Sequence, residues 1–232
     1  MSDYLFPAPS VATITVEGES AAFPVHRVFC VGRNYAAHAL EMGGVPDYEA
    51  PFYFIKSTEH VIASGAEIPY PLGTENYHHE VELSILIGAP AFRVSEDDAL
   101  NYVFGYCASL DMTRRDLQNA LKAKSLPWDL SKDFENAAVF AKASKASAFG
   151  EVGNQKIKLD VNGETRQDAT LAELIHSVPA VIADLSKYYH LVPGDVIMTG
   201  TPAGVSAVSA GDVLHGTIDG LAPVELTLTA TE

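Results

Sequence analysis

Short apolar stretches separated by turn residues make up most of this chain. Within them, apolar residues either alternate with polar ones or run briefly without interruption, which favours β-strands over amphipathic helices. Their valine, isoleucine, tyrosine and phenylalanine content is also typical of strands. Strands are predicted in "VATITVEG" and "HRVFCVG" near the N-terminus, then in "APFYFIKS", "EVELSILIG" and "YVFGYCASLD".

Three segments have the composition and the end residues of helices. The segment "NYAAHALEMGG" ends at Gly43-Gly44, a plausible helix stop. The segment "TRRDLQNALKAK" begins with Thr113, which we expect to be its N-cap. In "TLAELIHSVPAVIADLSKYY", Pro179 is expected to interrupt a helix pair, because proline lacks the backbone donor. Thr170 and Glu173 have the spacing of a capping box.

The C-terminal third is again rich in strands, with glycine at the turns. "PGDVI" at 193–197 is echoed by "AGDVL" at 210–214, and each Gly-Asp predicts a tight turn into a strand. Strands and helices do not alternate as in a doubly wound sheet, and neither GxGxxG nor GxxxxGK[ST] occurs. The expected fold class is α+β, predominantly β, with a few short helices.

Composition limits the partners of the protein. Thirty acidic residues against 15 lysines and arginines give a formal net charge of -15 over 232 residues. Nucleic-acid binding needs a basic patch, so we expect none. No apolar run approaches the roughly 20 residues of a membrane span, so no membrane association is expected. A small anionic substrate would therefore need a bound metal or a few placed arginine and lysine side chains.

The chain start and the cysteines favour a cytoplasmic location. "MSDYLFPAPS" lacks a basic region followed by an apolar stretch, so no secretory signal is expected. Cys30 and Cys107 are isolated and far apart, which argues against a zinc site or a disulfide framework. A reducing compartment is then the default.

The stretch "HHEVELSILIG" places two carboxylates at the start of an apolar strand. Glu80 and Glu82 share one face, about 7 Å apart by the strand rise, and two such charges repel each other. A hard divalent cation between them would remove the repulsion. Asp111, at the end of the next long strand, is the candidate third ligand. The alternative is a solvated pair of glutamates with Asp111 capping the following helix. His78 and His79 are further candidate ligands, but because they precede the apolar run they are expected to lie in a turn or to contact neighbouring residues.

The stretch "VGRNYAAHALEMG" holds a second group of polar residues. His38 and Glu41 are three residues apart, so on a helix they face the same side. A histidine oriented by a carboxylate is a general-base arrangement, although a surface ion pair has the same spacing. Arg33 could hold a carboxylate or be structural. Lys132 is expected in a polar loop, and "TGTPAGV" at 199–205 could cradle a carboxylate with its backbone donors.

Several stretches together, in order, resemble the fumarylacetoacetate hydrolase family. They are "VGRNYAAHALEMG", "PFYFIKS", "IPYP", "NYHHEVELSILIG", "GYCASLDMTRRDLQ", "PWDLSKDF" and "GDVIMTGTPAGV". The resemblance implies a catalytic domain over residues 26–232, with residues 1–25 as an N-terminal extension packed on it. It also implies a mixed β-roll, a homodimer, and Mg²⁺ or Mn²⁺ as cofactor.

The resemblance assigns roles to single residues. The metal ligands would be Glu80, Glu82 and Asp111, and the catalytic residues His38, Glu41 and Lys132. Gln118 and Thr201 match the family's substrate-binding positions. Arg33 and Arg115, together with Arg114, are candidates to bind a further carboxylate of the substrate.

The stretch "LDMTRRDLQ…PWDLSKDFENAA" is most similar to the acylpyruvase and fumarylpyruvate hydrolase branch of the family. That similarity implies hydrolysis of a carbon–carbon bond in a 2,4-diketo acid, in the degradation of aromatic compounds. His38, oriented by Glu41, would activate a water that attacks the distal carbonyl, and pyruvate would leave as its enolate. Oxaloacetate decarboxylation and isomerisation of an unsaturated oxo diacid are alternatives for the same site. A degenerate, non-enzymatic scaffold is disfavoured by the intact set of polar residues.

Overall fold

A computed structural model describes residues 4–232. Its strands are β1 (Thr13–Ile14), β2 (Phe23–Pro24), β3 (Arg27–Gly32), β4 (Phe52–Lys56), β5 (Val61–Ala63), β6 (Ala66–Pro69), β7 (Tyr77–His78), β8 (Val81–Ile87), β9 (Val103–Asp111), β10 (Thr113–Arg114), β11 (Ala138–Phe140), β12 (Ser144–Lys145), β13 (Lys156–Val161), β14 (Glu164–Thr170), β15 (Asp195–Met198), β16 (Ala207–Val208), β17 (Val213–Ile218) and β18 (Val224–Thr229). The expected fold class, predominantly β with a few short helices, is confirmed.

The helices are short. They are α1 (Ala36–Glu41), α2 (Glu96–Ala99), α3 (Arg115–Ala123), α4 (Asp129–Lys132), α5 (Ala146–Phe149) and α6 (Val178–Leu185). Single 3₁₀ turns cover Thr58–His60, Leu100–Tyr102 and Leu171–Glu173. Within residues 4–232, no helix combines the length and the apolar character needed to cross a membrane.

Two sheets pack face to face around the main core. The larger runs in the order β4-β3-β15-β8-β9-β11-β5, with β12 added beside β9. The smaller runs β14-β13-β17-β18-β6, and a minor sheet runs β10-β7-β16. Apolar side chains of β8 and β9, such as Leu83 and Leu110, are fully buried in one cluster with Leu159 and Leu226 of the smaller sheet. Burial of this kind is the main favourable term in folding.

The other face of the larger sheet has its own apolar cluster. Alternate side chains of β3, Val28 and Cys30, lie in it together with Ile14 and Phe23 of the β1–β2 hairpin. The hairpin thus packs on the main sheet. The division of the chain at residue 26 stays a prediction.

The register of β8 and β9 brings the acidic residues together. The two strands are antiparallel, with Glu82 opposite Ser109 and Val81 opposite Leu110. Continuing this register places Glu80 opposite Asp111, and the Asp111 backbone N–H donates to the Glu80 carbonyl at 2.9 Å. Since side chains alternate along a strand, the three carboxylates fall on one face.

The predicted strands are present, and two helix predictions need correction. Thr113 is not an N-cap, since it lies in β10 and its hydroxyl donates to the Asp111 carbonyl at 3.2 Å. Pro179 does not interrupt a helix pair. It stands in the first turn of α6, where proline is tolerated, and only a 3₁₀ turn precedes it. The capping box of Thr170 and Glu173 is confirmed.

Close packing beside β9 gives a test of the fold. A Cβ at Gly105 would lie 2.2 Å from the Ser144 carbonyl oxygen. We expect Gly105→Ala to lower the free energy of unfolding by about 1–3 kcal/mol, because strand β12 would have to move. Gly153→Ala is the control, since its Cβ would meet only the tip of Gln155 at 3.9 Å. Equal urea midpoints for the two variants would contradict this packing.

Candidate active site

Three buried carboxylates form the centre of the site. Glu80 is 4% exposed, Glu82 2% and Asp111 1%. One oxygen from each lies within 4.8 Å of the other two, a spacing that could hold a metal ion. The alternative of a solvated glutamate pair is therefore excluded by the burial of both side chains. The grouping of these three residues follows the sequence prediction.

Three buried cations surround the carboxylates. Lys132 Nζ lies 2.7 Å from both Glu80 Oε2 and Asp111 Oδ2. Lys56 Nζ lies 2.8 Å from Asp111 Oδ1, and the Arg115 guanidinium pairs with Glu80. Burial acts against the charge of Glu80, but Lys132 and Arg115 hold its pKa below the usual range. These pairs fix the carboxylate geometry.

The environment of Lys132 differs from the expectation. The residue is not in a polar loop: it ends α4 and is only 3% exposed. Burial disfavours its charge, but Asp111 and Glu80 raise its pKa. A four-residue helix has no apolar period that would reveal it in the sequence.

Glu82 is the carboxylate whose negative charge is least compensated by neighbouring cations. Its Oε2 accepts a hydrogen bond from the Gly200 backbone at 2.8 Å, and it forms no ion pair with a residue in the described range 4–232. Burial, followed by the charges of Asp111 and Glu80, raises its pKa well above the usual value. A divalent cation between the three carboxylates would relieve this cost. The all-oxygen donor set suits Mg²⁺ or Mn²⁺.

Helix α1 carries the histidine and its partner. His38 Nδ1 lies 3.2 Å from Glu41 Oε2, and the His38 side chain is 7% exposed. Glu41 Oε1 accepts from the Gly204 backbone at 3.0 Å. Burial opposes it, but these hydrogen bonds lower the pKa of Glu41, so its carboxylate stays ionised. With Nδ1 donating to Glu41, Nε2 of His38 is the nitrogen that can accept a proton.

A buried polar network supports Thr201. Its hydroxyl donates to the Val81 carbonyl at 2.8 Å and accepts from Gln167 Nε2 at 2.7 Å. The side-chain oxygen Oε1 of Gln167 in turn accepts from the Val81 backbone N–H and lies 3.0 Å from His79 Nδ1. His79 Nε2 lies 3.0 Å from Ser206 Oγ. The network ties the segment containing Thr201 to the start of β8.

The carboxylates, His38, Lys132 and Thr201 line one pocket. It has an empty volume of about 390 Å³. Of the sequence-predicted site residues, it is lined by Arg33, His38, Glu80, Glu82, Asp111, Arg115, Gln118, Lys132 and Thr201. Glu41 contacts His38 but does not line the pocket. Arg114 faces away, with its guanidinium carbon 4.2 Å from the Phe134 ring centroid.

Arg115 occupies a different setting from the one expected of a substrate-binding residue. It is 3% exposed and paired with Glu80 and with Gln118. Its role at the substrate stays a prediction, as do those of Arg33, Gln118 and Thr201.

Two buried residues of the site were not identified from the sequence. Lys56 is a single cation at the end of the apolar strand "PFYFIK", a pattern that could have drawn attention to it. Gln167 is in a polar strand, "ETRQDAT", which looks exposed throughout. Its burial depends on residues far away in the chain, so no local pattern indicates it.

Comparison with known proteins identifies the family. The model of the family described as fumarylacetoacetate (FAA) hydrolase C-terminal matches residues 27–229. This chain belongs to the fumarylacetoacetate hydrolase family. The match covers every residue of the pocket described above.

Two relatives and one crystal structure are similar to this chain over most of its length. A fumarylpyruvate hydrolase of Ralstonia sp is 49% identical over 184 residues, covering 79% of this chain and 95% of the relative. The oxaloacetate tautomerase YcgM of Escherichia coli (strain K12) is 40% identical over 206 residues, covering 88% and 93%. The crystal structure of fumarylpyruvate hydrolase from Pseudomonas aeruginosa in complex with Mn²⁺ and pyruvate has a TM-score of 0.95 at 41% identity, covering 98% and 100%.

The carboxylate cluster predicts metal binding that depends on Glu82. We expect Glu82→Gln to weaken Mn²⁺ binding at least about 100-fold, since it removes a ligand charge and not only an outer contact. Isothermal calorimetry on the metal-free protein measures this directly. Glu67→Gln is the control, because Glu67 is an exposed glutamate of β6. An unchanged dissociation constant for Glu82→Gln would show that the metal site lies elsewhere.

Proposed function

We propose that this protein is a metal-dependent hydrolase of 2,4-diketo acids, with fumarylpyruvate as its foremost substrate. The observation that carries this proposal is that His38, which pairs with Glu41, lines one pocket with the three carboxylates and Lys132. A candidate general base and a candidate metal site thus open onto the same small space. The Ralstonia and Pseudomonas relatives support the choice of fumarylpyruvate.

The proposed reaction adds water across a carbon–carbon bond. Water attacks the C4 carbonyl of the diketo acid, and the C3–C4 bond then breaks. The acyl group leaves as a carboxylic acid, and the three-carbon fragment leaves as the enolate of pyruvate. Protonation of that enolate at C3 gives pyruvate. For fumarylpyruvate, the products are fumarate and pyruvate.

His38 is the proposed base for this attack. Its Nε2 would take a proton from water, while Glu41 holds Nδ1 and stabilises the imidazolium that forms. The second oxygen of Glu41 accepts from the Gly204 backbone, which ties α1 to the segment after β15. Closure of α1 over the pocket would limit the access of bulk water, as lid closure does in other enzymes.

The inner end of the pocket is proposed to hold the 2-oxo acid. Glu80, Glu82 and Asp111 would hold Mg²⁺ or Mn²⁺, which supplies a Lewis acid for negative charge that develops on the substrate. Lys132 adds a fixed positive charge beside the same carboxylates. Gln118 and Thr201 are proposed to orient the 2-oxo acid, since both line the inner pocket.

A second candidate function is oxaloacetate tautomerisation. The Escherichia coli relative supports it. Keto–enol exchange needs a base that moves one proton and a site that stabilises an enolate, and consumes no water. His38 and the cations around the carboxylates could perform both tasks. Oxaloacetate decarboxylation and oxo-diacid isomerisation would use the same stabilisation of an enolate.

The proposed function also concerns the partner, the oligomeric state and the location of the protein. The expected partner is a small anionic 2-oxo acid. Homodimer formation, a cytoplasmic location and a place in the degradation of aromatic compounds stay predictions.

The hydrolase proposal predicts dependence on both the metal and His38. We expect EDTA treatment and His38→Ala each to lower kcat/KM for fumarylpyruvate by about 100-fold to 10,000-fold, the range for loss of a general base or electrostatic group. The measurement is the loss of the ultraviolet absorbance of the diketo acid with Mg²⁺ present.

His215→Ala provides a matched control for that assay. His215 also pairs with a glutamate, Glu225, at 3.0 Å, but in the smaller sheet and at the surface. This variant should keep wild-type activity. Full activity in His38→Ala would exclude His38 as the base.

Oxaloacetate separates the candidate functions. We expect wild-type protein to cleave fumarylpyruvate with a higher kcat/KM than that for enol–keto conversion or CO₂ release from oxaloacetate, because the proposed role of His38 is to activate water. Enol decay and CO₂ release are measured in parallel on one preparation. Fast conversion of oxaloacetate without cleavage of any diketo acid would assign the tautomerase or decarboxylase function instead.

A further inference from the structure

A stripe of polar residues on α3 runs from the carboxylates to the mouth of the pocket. Arg115, Gln118 and Lys122 are spaced at i, i+3 and i+7, so they project from the same helix face, and all three line the pocket. Arg115 pairs with Glu80 at the inner end. Lys122 follows about 10 Å further along the helix axis.

The outer end of this stripe contains two cations with no anionic partner. Among residues 4–232, Lys122 forms no ion pair, and its Nζ donates only to the Met42 carbonyl at 3.3 Å. Arg33 likewise forms no ion pair within that range, and its guanidinium carbon lies 5.9 Å from the Trp128 ring centroid. Burial, with the charges of Arg33 and Arg115, lowers the pKa of Lys122. These cations therefore repel each other in the absence of an anion.

The backbone of Arg33 supports a placed side chain. Its φ is 59°, in the left-handed region that residues other than glycine rarely adopt. Such strain persists where the surrounding structure fixes it, and it is concentrated at functional positions. In an acidic protein of net charge -15, two unpaired cations at one pocket mouth indicate an anionic ligand group.

Apolar and aromatic surface lies between the two ends. Phe54 and Trp128 line both the inner pocket and the cavity outside it, with ring centroids 6.1 Å apart. This surface suits an uncharged hydrocarbon segment. In an extended seven-carbon diacid, the two terminal carboxyl carbons are about 8 Å apart, as calculated from standard bond lengths. That length is compatible with the spacing of the stripe.

We infer that Lys122, with Arg33, binds a second, distal carboxylate and thereby selects diacid substrates over acylpyruvates with an uncharged acyl group. The inference rests on the proposed function for its choice of 2-oxo acids. Lys122 is a specificity residue in this account. The rival role is purely structural: the bond to Met42 would only hold α1, and the acyl group would be irrelevant.

A binding experiment separates these roles without any cleavage. The probes are 2-oxoheptanedioate and 2-oxoheptanoate, which share a seven-carbon chain and differ only in the distal carboxylate. Dissociation constants are measured by calorimetry with the Mn²⁺-loaded protein. We expect wild-type protein to prefer the diacid by about 10-fold to 100-fold, the range for a hydrogen bond to a charged group.

Variants assign the preference to Lys122. Lys122→Met keeps the aliphatic stem and should abolish the preference by weakening diacid binding, with 2-oxoheptanoate binding unchanged. Lys122→Arg should retain it. Lys124→Met is the matched control, an exposed lysine at the end of the same helix, and should behave as wild type.

The outcomes distinguish this inference from the proposed function. Equal binding of the two probes by wild-type protein, or an equal loss for both in Lys122→Met, would overturn the inference and support the structural role. A diacid preference that depends on Lys122 would sustain it even if no diketo acid were cleaved, in which case only the hydrolase proposal would fail.

Discussion

The burial of three carboxylates on neighbouring strands is the constraint on which the site depends. Unpaired, such charges would be very costly to remove from water. Lys132, Lys56 and Arg115 reduce that cost for Glu80 and Asp111, but Glu82 keeps a raised pKa among like charges. Pairs of this kind contribute little net stability, whereas removal of one partner is strongly destabilising. The arrangement therefore favours function over stability.

The sheet supplies the precision that this cluster requires. Glu82 and Asp111 are on adjacent strands, β8 and β9, buried on both faces, and Gly105 permits the close approach of β12. A shift of register by one residue would move the carboxylates to the opposite face. Gln167, from the other sheet, fixes Thr201 against the start of β8. The site is thus anchored by both layers.

The sequence predicted the strands and the acidic group well, for a physical reason. Alternation along a strand is a local rule, so Glu80 and Glu82 could be placed on one face without knowledge of the rest. Asp111 was proposed as the third ligand from its place at the end of the next long strand, and the family resemblance then joined His38, Glu41 and Lys132 to the same site. Thr113, Lys132 and Gln167 were misjudged or missed because distant partners determine their settings. Thr113 pairs with His78 of β7, Lys132 binds Glu80 and Asp111, and Gln167 contacts His79 and Thr201.

The charges in the pocket also bear on the substrate. The three carboxylates and their three cationic partners are formally balanced, so a divalent cation would leave two positive charges among buried side chains. Coulomb interactions are stronger where burial limits screening by water. A monoanionic 2-oxo acid would offset one of these charges, and a diacid both. Arg33 and Lys122 add further positive charge at the mouth. The electrostatics of the whole pocket, and not only its outer end, therefore favour a dianionic occupant.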